Sequence, residues 1–222
     1  MLRLSTRLHK WIALIVGVQV LFWTLGGLIM TVIPIETVRS EHRLAERRAE
    51  PLPPSALPVL AGRDAVEATL KSAPRAVVWV LKDADGKATV LSADGKPLPP
   101  LAEPEARRLA AHAYKGEGKP VSARHFAQAP QETGRDGPLW RVDFDDAERT
   151  SFYLDPQTGE VVSRRSAVWR VYDFLWRLHI LDFKTGEDFN HPLIIGVSVL
   201  AVAMTLTGFV LLWFRFFPRR RA

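Results

Sequence analysis

Two long apolar runs enclose a middle stretch in which apolar and polar residues alternate at short range. From Trp11 to Ile33 no residue is charged, and Pro34 and Glu36 close the run. From Pro192 to Phe214 none is charged either. At a rise of about 1.5 Å per residue each run can cross a hydrocarbon core of about 30 Å, which predicts transmembrane helices over residues 11–33 and 191–214. Ahead of the second run, Val168, Tyr172, Leu175, Trp176, His179 and Phe183 recur at helical spacing, while Arg170, Asp173 and Arg177 take the other face. A helix so rich in aromatic residues suits a membrane surface, and residues 167–190 are read as an interfacial amphipathic helix and turn. Asp173 and Arg177 stand four apart and can pair. Lys184-Thr185-Gly186 is expected to end this helix, with Asp188 or Asn190 capping the spanning helix and Pro192 in its first turn.

The middle begins with residues 34–58. Arg39, Arg43, Arg47 and Arg48 interleave there with Glu36, Glu41, Glu46 and Glu50, which predicts a solvated helical extension before the linker from Pro51 to Pro58. Residues 59–166 read as one domain of two similar units, 59–101 and 102–166. The first has a helix from Arg63 to Ser72, then strands Ala76–Leu81 and Ala88–Leu91. The second has a helix from Pro104 to Tyr114, a strand around Val121–Phe126, then strands Leu139–Phe144 and Thr150–Leu154. Each hairpin is followed by an acid-plus-glycine turn, Asp94-Gly95 in one and Asp155-Pro156-Gln157-Thr158-Gly159 in the other. Trp79 to Asp94 and Trp140 to Asp155 have the same separation. One helix and one hairpin bury little by themselves, so the units are expected to share a core with Trp140 and Tyr153 beside Trp79. Ala127–Gly137, polar and rich in turn formers, reads as a loop. The predicted fold class is an α+β membrane protein in which two transmembrane helices flank an extracytoplasmic domain of helix-plus-antiparallel-hairpin units.

Charge sets the topology. Arg3, Arg7 and Lys10 precede the first run, and Arg215, Arg219, Arg220 and Arg221 follow the second. Basic flanks stay in the cytoplasm, so residues 1–10 and 215–222 are placed there and everything between the helices faces out. A cleaved signal peptide competes for the first run, but that run is about twice the usual apolar region of 7–15 residues and no small-x-small site follows. The formal net charge of +6 invites a nucleic-acid partner, yet much of the excess lies beside the apolar runs, where topology accounts for it. With no cysteine in the chain there is no disulfide framework, iron–sulfur cluster or thiolate metal site.

The segment WRVDFDDAERTSFYLDPQTGEVVSRR carries Trp140, Tyr153, Asp155, Pro156, Thr158 and Gly159 in an arrangement that resembles the PepSY module, an aromatic strand followed by a D-P-x-T-G turn. The flanks add to the likeness. RLHKWIALIVGVQVLFWTLGGLIM resembles the first membrane helix of PepSY-associated transmembrane proteins, and LHILDF with the later Thr207-Gly208 resembles their later helices. The resemblance covers most of the chain and implies a bacterial inner-membrane protein with a periplasmic central domain, in a family associated with iron uptake. Some members bind haem b through membrane histidines and reduce ferric siderophores. By that resemblance His9 and His179 are candidate haem ligands, and His191 joins them by position. The larger reductase-like members have about four spanning helices whereas this chain has two, and no glycine-rich phosphate loop for a flavin or nicotinamide is present.

His9 falls at the cytoplasmic edge of the first run, and His179 and His191 fall at the outer edge, so within one chain His9 cannot share an iron with the other two. His179 and His191 can meet if the turn folds back, and a homodimer would supply symmetry-related imidazoles. The competing account makes all three interfacial side chains with rings at headgroup depth. His42, His112 and His125 stand in polar surroundings and read as surface residues. Asp83-Ala84-Asp85-Gly86 reads as a hairpin turn rather than a calcium loop, and Asp143, Asp145, Asp146 and Glu148 as a solvated strand end. Ala13 and Gly17, with Gly26-Gly27, permit close helix approach. Two functions follow: a non-enzymatic binding or regulatory module whose periplasmic domain takes a protein or peptide partner, or a haem-b electron carrier serving a ferric-siderophore reductase-like system.

Overall fold

The computed structural model describes residues 2–48 and 65–217. The proline linker Pro51–Pro58 and the terminal Arg219–Arg221 lie outside the described residues. The chain divides into two compact units, Met1–Pro34 with Arg170–Ala222, and Ile35–Trp169.

The first unit is helical. Helix α1 (Leu2–Val32) stops at the predicted proline, and helix α5 (Pro192–Phe216) starts with Pro192 in its first turn. The stretches His9–Val32 and Pro192–Phe216 are both long and apolar enough to cross a membrane. α5 has no buried residue, and Leu21, Leu28, Val202 and Phe209 stand more than half exposed. An apolar helix left this bare in water would be a large liability, whereas lipid solvates it. The caps differ from expectation. Residue His191 is the N-cap of α5 and makes no side-chain capping bond, while Asp188 Oδ1 accepts the Asn190 N–H instead.

Helix α4 (Ala167–Ile180) keeps the predicted start and the predicted pair, with Arg177 Nε 2.7 Å from Asp173 Oδ2. It ends earlier than the aromatic periodicity suggests. Leu181 takes a left-handed φ of 57°, and Phe183 lies past the helix, exposed. The terminator is Asp182, whose carboxylate accepts N–H groups from Lys184, Thr185, Gly186, Glu187 and Asp188 at 2.7–3.2 Å. Trp176 closes the turn from the helix side, its Nε1 donating to Gly186 O at 3.0 Å.

The second unit opens with a short helix α2 (Ile35–Val38) and a 3₁₀ turn (Glu41–Arg43), separated by Ser40 at φ 53°. The expected helical extension therefore ends at Arg43. Tertiary bonds pull the chain straight from there: Lys115 N–H donates to Arg43 O, Ala45 N–H donates to Ala113 O, both at 2.8 Å, and Leu44 bridges to Tyr114.

Two antiparallel sheets follow. Strands β1 (Glu67–Ser72), β2 (Val77–Lys82) and β3 (Ala88–Ser92) form a meander in that order. The expected helix over Arg63–Ser72 is corrected here, since its described part from Glu67 is strand, with Leu70 opposite Trp79. A six-residue strand pairs with a β-branched neighbour; pairing outweighs a weak helical preference. Helix α3 (Glu103–Ala113) then precedes β4 (Pro120–Phe126), β5 (Leu139–Phe144), β6 (Ser151–Leu154) and β7 (Val161–Arg165), in sheet order β4-β5-β6-β7. The sequence reading did not include β7. Among the described residues the two halves are thus three strands, and a helix with four strands, rather than two copies of a helix with a hairpin.

Nor do the described residues form one shared core. Leu109 and Ala110 of α3 pack with Trp140, Val142, Phe144, Phe152 and Leu154 on one face of the larger sheet. Trp79, Leu81 and Leu91 form a separate cluster on the smaller sheet, and Val78 and Val90 another. Tyr153 is fully buried but opposes Arg141, so it faces away from Trp140, which opposes Leu154. Its hydroxyl donates to Glu132 of the 127–137 loop, which lies over that second face.

Candidate functional site

The first unit gives each of the three predicted histidines a different environment. His9 Nδ1 lies 2.9 Å from Thr207 Oγ1. The Thr207 hydroxyl is itself 2.9 Å from Ala203 O and Met204 O, so its hydrogen goes to the α5 backbone and its oxygen accepts from His9 Nδ1–H. A Cβ on Gly208 would stand 3.6 Å from the imidazole Cε1, so the L-H segment of α1 meets Thr207-Gly208 of α5 side by side. His191 Nε2 is 2.9 Å from Ile180 O, and because a carbonyl only accepts, this nitrogen carries the proton.

That contact belongs to a set. Gln19 Nε2 donates to Leu178 O at 3.0 Å and Trp23 Nε1 to His179 O at 2.6 Å. Three consecutive carbonyls at the C-terminal end of α4, orphans by helix geometry, are thereby each satisfied by a side chain from α1 or the α5 N-cap. His179 sits at the centre. Its ring lies 6.0 Å from Trp23 and 6.2 Å from Trp176, parallel to the latter within 3°. Its Nδ1 is buried and has no hydrogen-bond partner among the described residues. An apolar cleft of about 330 Å³ between α1 and α5, lined by Trp23, Ala201, Val202 and Leu206 with Ser198 and Thr205, contains no ionisable group.

Asp182 supplies the electrostatic anchor of the turn. The Thr185 hydroxyl and the cup of backbone N–H groups hold its carboxyl far below the usual carboxylate range, despite the opposing effect of burial. It is an anion locked into the fold rather than a proton carrier.

In the second unit the acidic run forms a network. Burial would raise the Asp146 carboxyl, but the Thr150 hydroxyl and N–H, then the Tyr114 hydroxyl and the Arg43 charge, leave it lowered. Glu148 is lowered first by its hydrogen bond from Arg43, Nη2 to Oε1 2.8 Å, and His42 Nε2 lies 3.1 Å from its other oxygen. Asp143 takes bonds from Ser122, Ser151 and Arg141, all at 2.7 Å. The expectation of a solvated strand end holds for exposed Asp145 and is corrected for the others: Asp146 and Glu148 tie Tyr114, just past α3, and Arg43 of the 3₁₀ turn to the β5–β6 hairpin, while Asp143 links β4, β5 and β6. Gly116 serves the same packing, since a Cβ there would sit 2.6 Å from the Tyr114 hydroxyl. On the other side of α3 a groove of about 670 Å³ runs between the extended Leu44–Arg48 stretch and β7, floored by Leu109 and Ala113.

A family model described as PepSY-associated TM region matches residues 6–222. The chain belongs to the PepSY-associated transmembrane family. No curated protein and no solved structure matches it.

For this PepSY-associated protein, the resemblance pointed to His9 and His179, and position to His191. The structure joins His191 to the residue that follows His179, and it sets His9 against Thr207. Sequence reasoning missed Gln19 and Trp23 as carbonyl donors. The available signal was a glutamine inside an uncharged run, where a polar side chain needs a partner. It also missed Asp182, although an aspartate just before a Lys-Thr-Gly turn is a recognisable backbone-binding position. Among the described residues no group of three or more His, Cys, Asp or Glu side chains could hold a metal ion.

Proposed function

We propose that this two-span PepSY-associated protein is an inner-membrane anchor for a periplasmic binding and regulatory module, the unit Ile35–Trp169. The observation that carries it is the groove beside α3, a concave site of about 670 Å³ with an apolar floor, within the range of about 300–1,000 Å³ typical of ligand sites. The basic flanks of both spans support cytoplasmic termini. Reporter fusions at exposed Gly134 test the topology: an exported reporter should be active there and a cytoplasmic one silent. Photo-crosslinking residues at Arg135 and Lys87 test the module in cells, where a discrete crosslinked protein partner is the expected result and no adduct from either position the contrary one. A tie to iron uptake is carried by the family resemblance, and induction of the transcript on iron starvation tests it.

A second reading, a haem-b electron-transfer subunit, is favoured by the buried, unpartnered Nδ1 of His179 between two tryptophans. The bonds of His9 Nδ1 to Thr207 and of His191 Nε2 to Ile180 O each leave the second ring nitrogen uncommitted, so all three imidazoles fit the role of a haem ligand. His179 would hold the haem, which when bound would supply one-electron transfer. A Soret band in the purified membrane protein, lost in His179→Ala and kept in His42→Ala, would establish this reading. A colourless protein after haem supplementation would remove it.

A further inference from the structure

The groove beside α3 has walls as well as a floor. One wall is the extended chain from Leu44 to Arg48, and the other is β7, an edge strand paired only with β6 among the described residues. The register between β6 and β7 jumps from Leu154–Val161 to Tyr153–Ser163, which leaves Val162 without an opposite residue on β6. The Arg165 end of β7 is covered by the loop, through a bond from its Nε to Glu132 O, whereas the Val161–Val162 end opens into the groove. A gap bounded by two extended strands of backbone, over an apolar helix face, has the shape of an added strand.

The rim has a definite charge. Arg47 spends its guanidinium on neutral acceptors, Ser72 O at 2.7 Å, Ser72 Oγ at 2.6 Å and Ala73 O at 2.9 Å, so among the described residues no acid compensates its charge. Arg48 and Arg135 are exposed and have no acidic partner among the described residues, and His112 adds a further donor. Glu160 is taken by Lys71 at 2.6 Å, which leaves Glu46 as the single unpaired acid of the described lining. A positive rim over an apolar floor selects carboxylates that alternate with apolar side chains, the pattern of a strand with two unlike faces.

We infer that this groove binds an extended, carboxylate-bearing peptide segment of a partner protein, laid along the edge of β7 with its acidic side chains on Arg48 and Arg135. The inference rests on the binding-module reading and names its site and ligand class. The test uses the full chain in phosphatidylcholine nanodiscs, empty nanodiscs as control, and a fluorescein-labelled peptide of alternating glutamate and valine read by anisotropy. Binding should weaken about tenfold or more in Arg48→Glu/Arg135→Glu and fall with added salt. Both positions are exposed, so the fold should survive, and an unchanged melting temperature confirms that. The same peptide N-methylated at alternate residues should lose binding, because it cannot pair with a strand edge. Equal binding of a lysine–valine peptide, no binding of the glutamate–valine peptide, or no effect of the double charge reversal would overturn the proposal. So would a dimer that the double variant dissolves, which would make a second copy the occupant. A negative peptide result with a crosslinked partner at Lys87 sinks the groove and spares the module; absence of adducts at both Lys87 and Arg135 sinks both.

Discussion

The two sheets of the second unit are built from the same parts and are held together differently. Each buries a tryptophan on a central strand, Trp79 at 4% exposure and Trp140 at 9%. Trp140 lies under α3 in a continuous aromatic core, with Phe144 and Phe152 rings 5.2 Å apart and Tyr114 stacked 4.1 Å from Phe144, and its Nε1 donates to Leu101 O at 3.1 Å. Trp79 packs in a small cluster, and its Nε1 is buried with no partner among the described residues. A helix on one face lets the larger sheet gather its apolar area in one place and satisfy its polar atoms. The smaller sheet divides its apolar residues between two faces and leaves an indole N–H unpaired. Most stabilising burial in this unit should therefore reside in the half from Leu101 to Arg165.

The sharpest way to break that comparison is Trp140→Ala, which should destabilise the unit by about 3–5 kcal/mol. Thermal unfolding of the detergent-solubilised protein, followed by near-UV circular dichroism, reads it; an unchanged midpoint would place the core elsewhere.

Glycines in the two sheets give the next test. Gly159 has φ 73° and a Cβ there would stand 2.5 Å from Leu109 Cδ1, whereas Gly86 has φ 79° and nothing within 4 Å. Gly159→Ala combines left-handed strain with a clash and should cost about 2–4 kcal/mol, against about 1–2 kcal/mol for Gly86→Ala. Equal costs would show that α3 yields freely to the turn.

Trp140→Phe and Trp79→Phe isolate the indole N–H. The first strands Leu101 O and should cost about 1–3 kcal/mol more than the second, which removes an unsatisfied donor. If Trp79→Phe is the more damaging of the pair, Trp79 Nε1 has a partner in solution.

The smallest effects come from pH. The folded Asp146 carboxyl is lowered, so its contribution is complete above about 4, the unfolded aspartate value, and is lost as pH falls through the folded value. The Tyr114 hydroxyl moves the other way, pushed up to about 12 by burial first and then by its bond to Asp146. Its contribution is therefore complete below about 10 and is lost as pH rises towards 12. Asp146→Asn should flatten the acid limb of the melting temperature against pH. An acid limb unaltered in that variant would assign acid loss to other carboxylates.

Much of the fold was legible locally. The lack of charge over Trp11–Ile33 and Pro192–Phe214 marks the spans, because only lipid accommodates that much exposed apolar helix. The Asp155-to-Gly159 turn was equally plain: Asp155 Oδ1 accepts the Gln157 and Thr158 N–H groups at 2.9 and 2.7 Å, and Gly159 takes the positive φ. The site was less legible. Glu67–Ser72 looked helical because its edge position leaves outward residues polar on both counts, and only Trp79 and its neighbours on β2 decide for a strand. Tyr153 and Trp140 looked alike as aromatic strand residues, yet cross-strand register sends them to opposite faces.

By itself, then, the sequence determined the family, the two membrane-length helices, α3 and the strands from Val121 to Leu154, since these depend on side-chain period and on turn residues a few positions apart. Tertiary structure alone decided that Gln19, Trp23 and His191 close the end of α4, that Arg43 and Tyr114 gather Asp146 and Glu148, and that Leu44–Arg48 stands off β7 to form the groove. The physical reason is one of range. A local pattern tells which way a side chain points, but the cost of an unpaired carbonyl or a buried carboxylate is relieved by whichever donor the folded chain brings near, and that donor lies far away in sequence.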